Sequence, residues 1–258
     1  MDHNWTEAYL RRIGAERPAV PTAGALRDLH LRHLRTVPFE NLSIHLGEDI
    51  ELTEQALVAK VVDARRGGFC YELNGAFAQL LRSLGFQVTL LQARVYGSEG
   101  RLGIPYDHMA LRVDTSEGPW LADIGFGSHS HLPLALDERG EQEDPGGTFR
   151  IADAPAGDLD VLKDGKPEFL LDRRPRELEE FKSGAWYHRT SPDSHFTRSL
   201  VCSLLTEHGR VTLSGRTLTT TVDGERKTEE LSTDAEVFTA YREHFGIALD
   251  RLPEQPKR

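Results

Sequence analysis

The chain has 258 residues, 38% apolar and 28% charged, with a formal net charge of -10; it can bury a sizeable core and is too ordinary in composition for wholesale disorder. The acidic balance argues against nucleic acid or an anionic membrane as the main partner, though not against a small anionic ligand held by local positive potential. Two cysteines make no disulfide framework, no apolar run approaches the ~18 residues of a membrane helix, and the first residues lack a signal-peptide pattern, so a cytoplasmic protein with reduced thiols is expected.

The first third reads as helices. WTEAYLRRIG sets Trp5, Tyr9, Leu10 and Ile13 at helical spacing and stops at Gly14. PTAGALRDLHLRHLRTVPFENL repeats the pattern with Leu26, Leu29, His30, His33 and Leu34, and breaks before Pro38. LTEQALVAKVVDARRGG is a third helix, with Thr53 as N-cap and Glu54 in its first turn. CYELNGAFAQLLRSLGF is the fourth; Phe69, Leu73, Ala76, Phe77, Leu80, Leu81 and Leu84 form one broad stripe, and Gly85 suits the stop. After residue 85 the period changes to two. QVTLLQARVYG, HMALRVD and PWLADIGFG read as strands, followed by GTFRIAD, DLDVLKDG and EFLLDRR. A polar connector with a short helix spans 173–195. SLVCSLLTEHGRVTLSGRTLTTTVDGER reads as strands and hairpins, and TDAEVFTAYREHFGI as a closing helix.

The stretch RRGGFCYELNGAF raises the functional question. Cys70 follows two glycines, which permit a sharp turn and close backbone approach to a ligand, and it stands at a helix start, where unpaired N–H groups and the dipole favour a thiolate. It is either a buried small hydrophobe or a nucleophile. Cys202, inside the apolar run SLVCSLL, reads as core.

A thiol nucleophile needs an imidazole, and the imidazole an orienting carboxylate. In YDHMALRVDTSEGPWLADIGFG, a hairpin centred between Thr115 and Ser116 sets His108 opposite Asp123, Met109 opposite Ala122 and Ala110 opposite Leu121. Cβ atoms directly opposite one another lie about 4.5–5.5 Å apart, within reach of a His–Asp hydrogen bond. Met109, Leu111, Val113, Trp120, Ala122 and Ile124 fall on the other, apolar face. The order Cys70, His108, Asp123 follows the logic of papain-like and transglutaminase-like enzymes and predicts acyl transfer through a thioester. His129 and His131, in GSHSH, have no carboxylate or thiol at ligand spacing; they read as surface loop, and no metal is expected. His30 and His33 read as helix packing or surface.

These motifs resemble the arylamine N-acetyltransferases: VPFENL (37–42), RGGFCYELNGAF (66–77), HMALRV with DIGFG and then Pro133–Leu134, SPDSHF (191–196) and AYREHFGI, in order along nearly the whole chain. The resemblance implies an α+β fold of three parts: a helical bundle (1–85) carrying the nucleophile, a β-barrel (86–190) carrying His and Asp, and a C-terminal α/β lid (191–258). It implies ping-pong transfer from acetyl-CoA to Cys70, then to an arylamine or hydrazine, with Cys70, His108 and Asp123 as triad and no metal. Glu40 and Arg66 match a structural ion pair. Phe39, Phe126 and Phe196 match aromatic positions of the acceptor pocket. Gly125 and Gly127, with Ile104 and Pro105, match positions near the acyl donor, although this chain's Ile104–Pro105 departs from the polar residues of some relatives. Two alternatives stay open: an amide synthase acting on a polyketide-type acyl chain, and a binding protein on an inactive acyltransferase scaffold. A monomer or weak homo-oligomer is expected, since no long apolar seam is visible.

Overall fold

The computed structural model describes residues 3–97 and 99–255. The helical part comprises α1 (His3–Ile13), α2 (Ala23–Thr36), the two-residue strand β1 (Phe39–Glu40), the short α3 (Leu42–Leu46), α4 (Glu54–Val62) and α5 (Cys70–Ser83). The caps follow from the sequence. The Thr22 hydroxyl accepts the Ala25 N–H at 3.2 Å, and Thr53 accepts the Ala56 N–H at 3.3 Å. The single stripe expected for α5 is corrected. Every residue from Cys70 to Leu81 is buried, Glu72, Asn74 and Gln79 included. The helix is a central axis: α1 and α4 pack on it from one side, strands from another, and the loop after β4 lies against its N-terminal turn.

Eight antiparallel strands follow: β2 (Gln87–Val95), β3 (His108–Thr115), β4 (Gly118–Ala122), β5 (Leu134–Ala135), β6 (Glu141–Asp144), β7 (Gly147–Asp153), β8 (Leu159–Lys163) and β9 (Lys166–Leu171). Their order is β5-β4-β3-β2-β9-β8-β7-β6. The edge strands β5 and β6 nevertheless meet. The Gln142 side chain accepts the Ala135 N–H at 2.7 Å and donates to the Ala135 carbonyl at 3.0 Å. A side-chain amide thus takes the place of a backbone ladder, and the sheet is a nearly closed barrel. Leu91, Ala93, Ala110, Phe149, Val161 and Phe169 fill its interior, while Leu90, Met109, Leu111, Val113 and Ala122 join the helical core. Strands β2 to β4 are therefore apolar on both faces, because they lie between two cores.

The β3–β4 register differs from expectation. Thr115 pairs with Gly118, Val113 with Trp120 and Leu111 with Ala122, so the turn is centred between Ser116 and Glu117. Thr115 fixes it there: its hydroxyl accepts the Glu117 N–H at 3.2 Å and the Trp120 indole N–H at 3.1 Å. Each partner moves by two residues, so every side chain keeps its face. His108 and Asp123 become diagonal neighbours on the face where both were expected.

Beyond β9 come α6 (Lys182–Thr190) and α7 (His195–Arg198), then β10 (Val201–Leu205), β11 (Gly209–Ser214), β12 (Thr217–Val222), β13 (Glu225–Glu230) and α8 (Asp234–Phe245). The second sheet runs β1-β10-β11-β12-β13. Its first strand comes from the N-terminal region: Phe39 pairs with Ser203 and Glu40 with Cys202. Cys202, Leu213, Val237 and Tyr241 belong to the core between this sheet and α8, as the apolar context of Cys202 predicts. At the free edge, β13 is ERKTEE and wholly exposed; its charges discourage addition of a further strand.

Candidate active site

The segment before Cys70 is shaped by close approach of chain to chain. A Cβ on Gly67 would lie 1.8 Å from the Pro38 carbonyl oxygen. Glu40 N–H donates to the Gly68 carbonyl at 2.9 Å. The two glycines therefore let the chain pass against Pro38–Glu40, where the sequence suggested approach to a ligand. Phe69 is extended, its N–H bonded to the Glu72 carboxylate at 3.3 Å, and α5 starts at Cys70.

The expected Glu40–Arg66 pair braces this segment. Arg66 Nε donates to Glu40 Oε1 at 3.0 Å, and a second guanidinium nitrogen lies 3.3 Å from Glu48. The other Glu40 oxygen accepts the Leu42 N–H at 2.6 Å. Lys60 reaches Glu72 at 2.5 Å and Ser43 at 2.9 Å. Burial alone would raise the Glu40 carboxyl; Lys60, Arg66 and the hydrogen bonds outweigh it and hold it below the usual carboxylate range. Arg66→Ala strands a fully buried carboxylate, so a loss of about 3–5 kcal/mol is expected by denaturant unfolding, with the double variant Glu40→Leu/Arg66→Met recovering most of it. Loss no larger than that of an exposed pair, below about 1 kcal/mol, contradicts this role.

His108 Nε2 lies 2.6 Å from Asp123 Oδ2. Asp123 Oδ1 accepts the Asn74 amide at 2.9 Å and the Gly125 N–H at 3.0 Å. With Nε2 committed to Asp123, Nδ1 is the ring nitrogen left for the Cys70 thiol, which shares the cavity wall with His108. Burial works against the imidazolium, but Asp123 and Cys70 outweigh it and lift the His108 pKa to about 10. Burial likewise opposes the Asp123 carboxylate; His108 and the Asn74 amide prevail and hold it at about 2.

Two residues behind this pair were missed. Asn74 stands one turn after Cys70 on α5. Its amide nitrogen also donates to the Met109 carbonyl at 2.6 Å, and its oxygen accepts the Ile124 N–H at 3.0 Å. A polar residue four positions after Cys70 in an apolar helix was the available signal. His30 Nε2 accepts the Asp123 N–H at 3.2 Å, and its Nδ1 donates to the His131 carbonyl at 2.9 Å. Burial pushes the His30 pKa down to about 4, so it serves as a neutral acceptor and donor at once. His129 is also corrected: it is buried against Phe126, Phe149 and Phe169, with Nδ1 2.5 Å from Glu168.

A cavity of about 270 Å³ opens at the thiol. Phe39, Phe126 and Phe196 line it with Cys70, His108 and Gly125. Phe126 meets the His108 ring edge-on at 5.1 Å, and the Phe39 and Phe196 rings meet at a tilt with centroids 6.1 Å apart in the cavity wall. Gly125 has a structural reason besides, since a Cβ there would lie 2.7 Å from Cys70 Cα. Gly127, with φ +93°, sits beside the Phe39 ring, and Ile104 and Pro105 lie in the turn closed by the Asp107 N–H on the Ile104 carbonyl. Those three are not among the residues lining the cavity. Sequence reasoning missed Asp107, His188 and His195 in the same wall.

A thiol, an imidazole and a carboxylate joined in series at an aromatic cavity define the class of cysteine-dependent acyl-transfer sites. The comparisons give the family. The N-acetyltransferase family model matches residues 22–253, and the chain belongs to the arylamine N-acetyltransferases, a family of acyltransferases. It is 36% identical over 218 residues to the arylamine N-acetyltransferase / N-hydroxyarylamine O-acetyltransferase of Salmonella typhimurium, covering 82% of this chain and 77% of that one. It is 33% identical over 253 residues to the arylamine N-acetyltransferase of Mycolicibacterium smegmatis, covering 95% and 92%. Among solved structures, the Salmonella typhimurium enzyme superposes with a TM-score of 0.89 at 31% identity, covering 97% and 94%. The Mycobacterium marinum enzyme in complex with CoA superposes with 0.85 at 30%, covering 94% and 92%. No helix among the described residues is long and apolar enough to cross a membrane.

Proposed function

We propose that this protein transfers an acetyl group from acetyl-CoA to arylamines and hydrazines by a ping-pong mechanism through a Cys70 thioester. The observation that carries the reading is the 2.6 Å His108–Asp123 bond, which commits Nε2 and leaves Nδ1 as the base facing Cys70. Nδ1 takes the thiol proton, and Asp123 holds the imidazolium. The thiolate attacks the acetyl carbonyl. As the C–S bond to CoA breaks, the imidazolium proton passes to the departing thiolate, leaving acetyl-Cys70 and neutral His108. The amine then attacks the thioester, its proton passes to His108, and Cys70 leaves as thiolate. Backbone N–H groups at the start of α5 are suited to the oxyanion.

In this reading the triad is papain-like. Residues 1–85 supply the nucleophile, 86–190 the imidazole and carboxylate, and 191–258 a lid over the cleft. Phe39, Phe126 and Phe196 hold a flat acceptor. Gly125, Gly127, Ile104 and Pro105 face the acyl donor, on the loop after β4 and the turn before Asp107. A cavity of about 270 Å³ suits one aromatic ring better than the long acyl chain of an amide synthase. Initial rates with acetyl-CoA and 4-anisidine varied together are expected to give parallel double-reciprocal lines. Intersecting lines would show direct transfer in a ternary complex and remove the thioester from the reaction.

A further inference from the structure

The same cavity contains a second set of linked polar groups that the proposed chemistry does not use. Asp107, immediately before His108, lines the wall beside His188. His188 Nε2 donates to the Asp107 backbone carbonyl at 3.2 Å and lies 3.1 Å from Asp107 Oδ1, while Asp107 Oδ2 accepts the Val95 N–H at 3.1 Å. His188 Nδ1 lies 3.0 Å from Ser194 Oγ. Ser194 Oγ in turn accepts the Phe196 N–H at 3.2 Å, at the start of α7. The backbone of Asp107 is fixed as well: the Tyr71 hydroxyl reaches its carbonyl at 3.1 Å. Asp107 and His188 side chains are only 14% and 8% exposed, so little water reaches them.

This set does not duplicate the proton chemistry. His108 already takes the amine proton and returns to imidazolium, so each turnover balances without a second base. What the set provides is a carboxylate in an otherwise aromatic cavity. A carboxylate has about four lone-pair positions; here Val95 fills one, and the His188 ring, bonded to the Asp107 carbonyl, stands 3.1 Å from the other oxygen. A carboxylate so enclosed gains from one more donor and repels a second anion.

We infer that Asp107, positioned by His188 and Ser194, selects the acceptor: it favours amines that carry an additional hydrogen-bond donor or positive charge and disfavours those that carry a carboxylate. The inference rests on the acetyl-Cys70 reading above.

The test compares two acceptors of nearly equal shape, 4-aminobenzamide and 4-aminobenzoate. Enzyme is first loaded with acetyl-CoA, freed of excess donor, and mixed with each acceptor; loss of the thioester gives a second-order rate constant. The ratio of the two constants within one preparation cancels any change in folding or thiol reactivity. Wild type is expected to prefer the benzamide, and Asp107→Asn to lose roughly ten- to hundredfold of that ratio, the range for a hydrogen bond to a charged group. Asp107→Glu keeps the direction of the preference. His188→Gln retains more of it than His188→Ala, because an amide N–H can still bond the Asp107 carbonyl and keep the residue in place. A wild type without the preference, or an Asp107→Asn ratio equal to the wild-type ratio, overturns the inference. Failure of wild type to load at all overturns the acetyl-Cys70 reading and the inference with it, and is seen at the first step.

Discussion

Asp123→Asn is expected to slow acetyl loading of the enzyme by on the order of 10³–10⁴ while leaving the fold in place. Asparagine keeps an oxygen for the Asn74 amide and the Gly125 N–H, both of which bond Oδ1. The group facing His108 Nε2 then becomes an NH₂ donor. The ring must present a bare Nε2 to it, which places the proton on Nδ1, the nitrogen that should receive the Cys70 proton. The negative charge that offsets burial of the imidazolium is also gone. Stopped-flow loading with acetyl-CoA, beside far-UV circular dichroism, checks both halves. Loading within tenfold of wild type would show that Asp123 does not set the tautomer.

The same substitution carries a pH signature. His108 rises from 6.5 to about 10 in the folded protein, so its contribution to stability is complete below pH 6.5 and is lost as pH rises through about 10. Asp123 falls from 3.8 to about 2, so its contribution is present above pH 3.8 and is lost as pH falls through about 2. Both are complete between those limits. The Tm difference between wild type and Asp123→Asn should therefore be greatest between about pH 4 and 6.5 and shrink as pH rises from 6.5 towards 10.

Cys70→Ala is expected to abolish transfer, because no other described thiol is near the cavity. Cys202 lies fully buried in the sheet–α8 core, and burial pushes its thiol well above the usual range. Cys202→Ala should therefore retain acetyl loading and lose only some stability. Cys70→Ala should keep its melting temperature within a few degrees, since the side chain removed is small. Transfer at wild-type rate by Cys70→Ala would place the chemistry elsewhere.

What the sequence disclosed was mostly local. Thr53 announced its helix because a hydroxyl before an apolar run has an N–H to accept. His108 and Asp123 could be set on one face because strand parity survives a two-residue change of partner. The turn centre itself depended on the Thr115 hydroxyl bonding Glu117 and Trp120, a competition that periodicity does not express. The complete burial of α5 was hidden for another reason. Its polar residues, Glu72 and Asn74, are satisfied by Lys60, Asp123, Met109 and Ile124, which lie 12 to 50 positions away. His30 is 93 residues from the Asp123 N–H it accepts. β1 was unreadable as a strand, because two residues acquire that state only by pairing with β10. Sequence pattern thus located the three groups proposed to react, and the contacts that hold them came from distant chain.

The central claim is that Cys70 carries the acetyl group between donor and amine. The most direct measurement is intact-protein mass spectrometry of the enzyme after acetyl-CoA and again after 4-anisidine, with peptide mapping of the adduct. The account predicts one acetyl group on Cys70 that disappears when the amine is added and never forms on Cys70→Ala. An unmodified Cys70 that still alkylates readily, or an adduct the amine does not discharge, would contradict it.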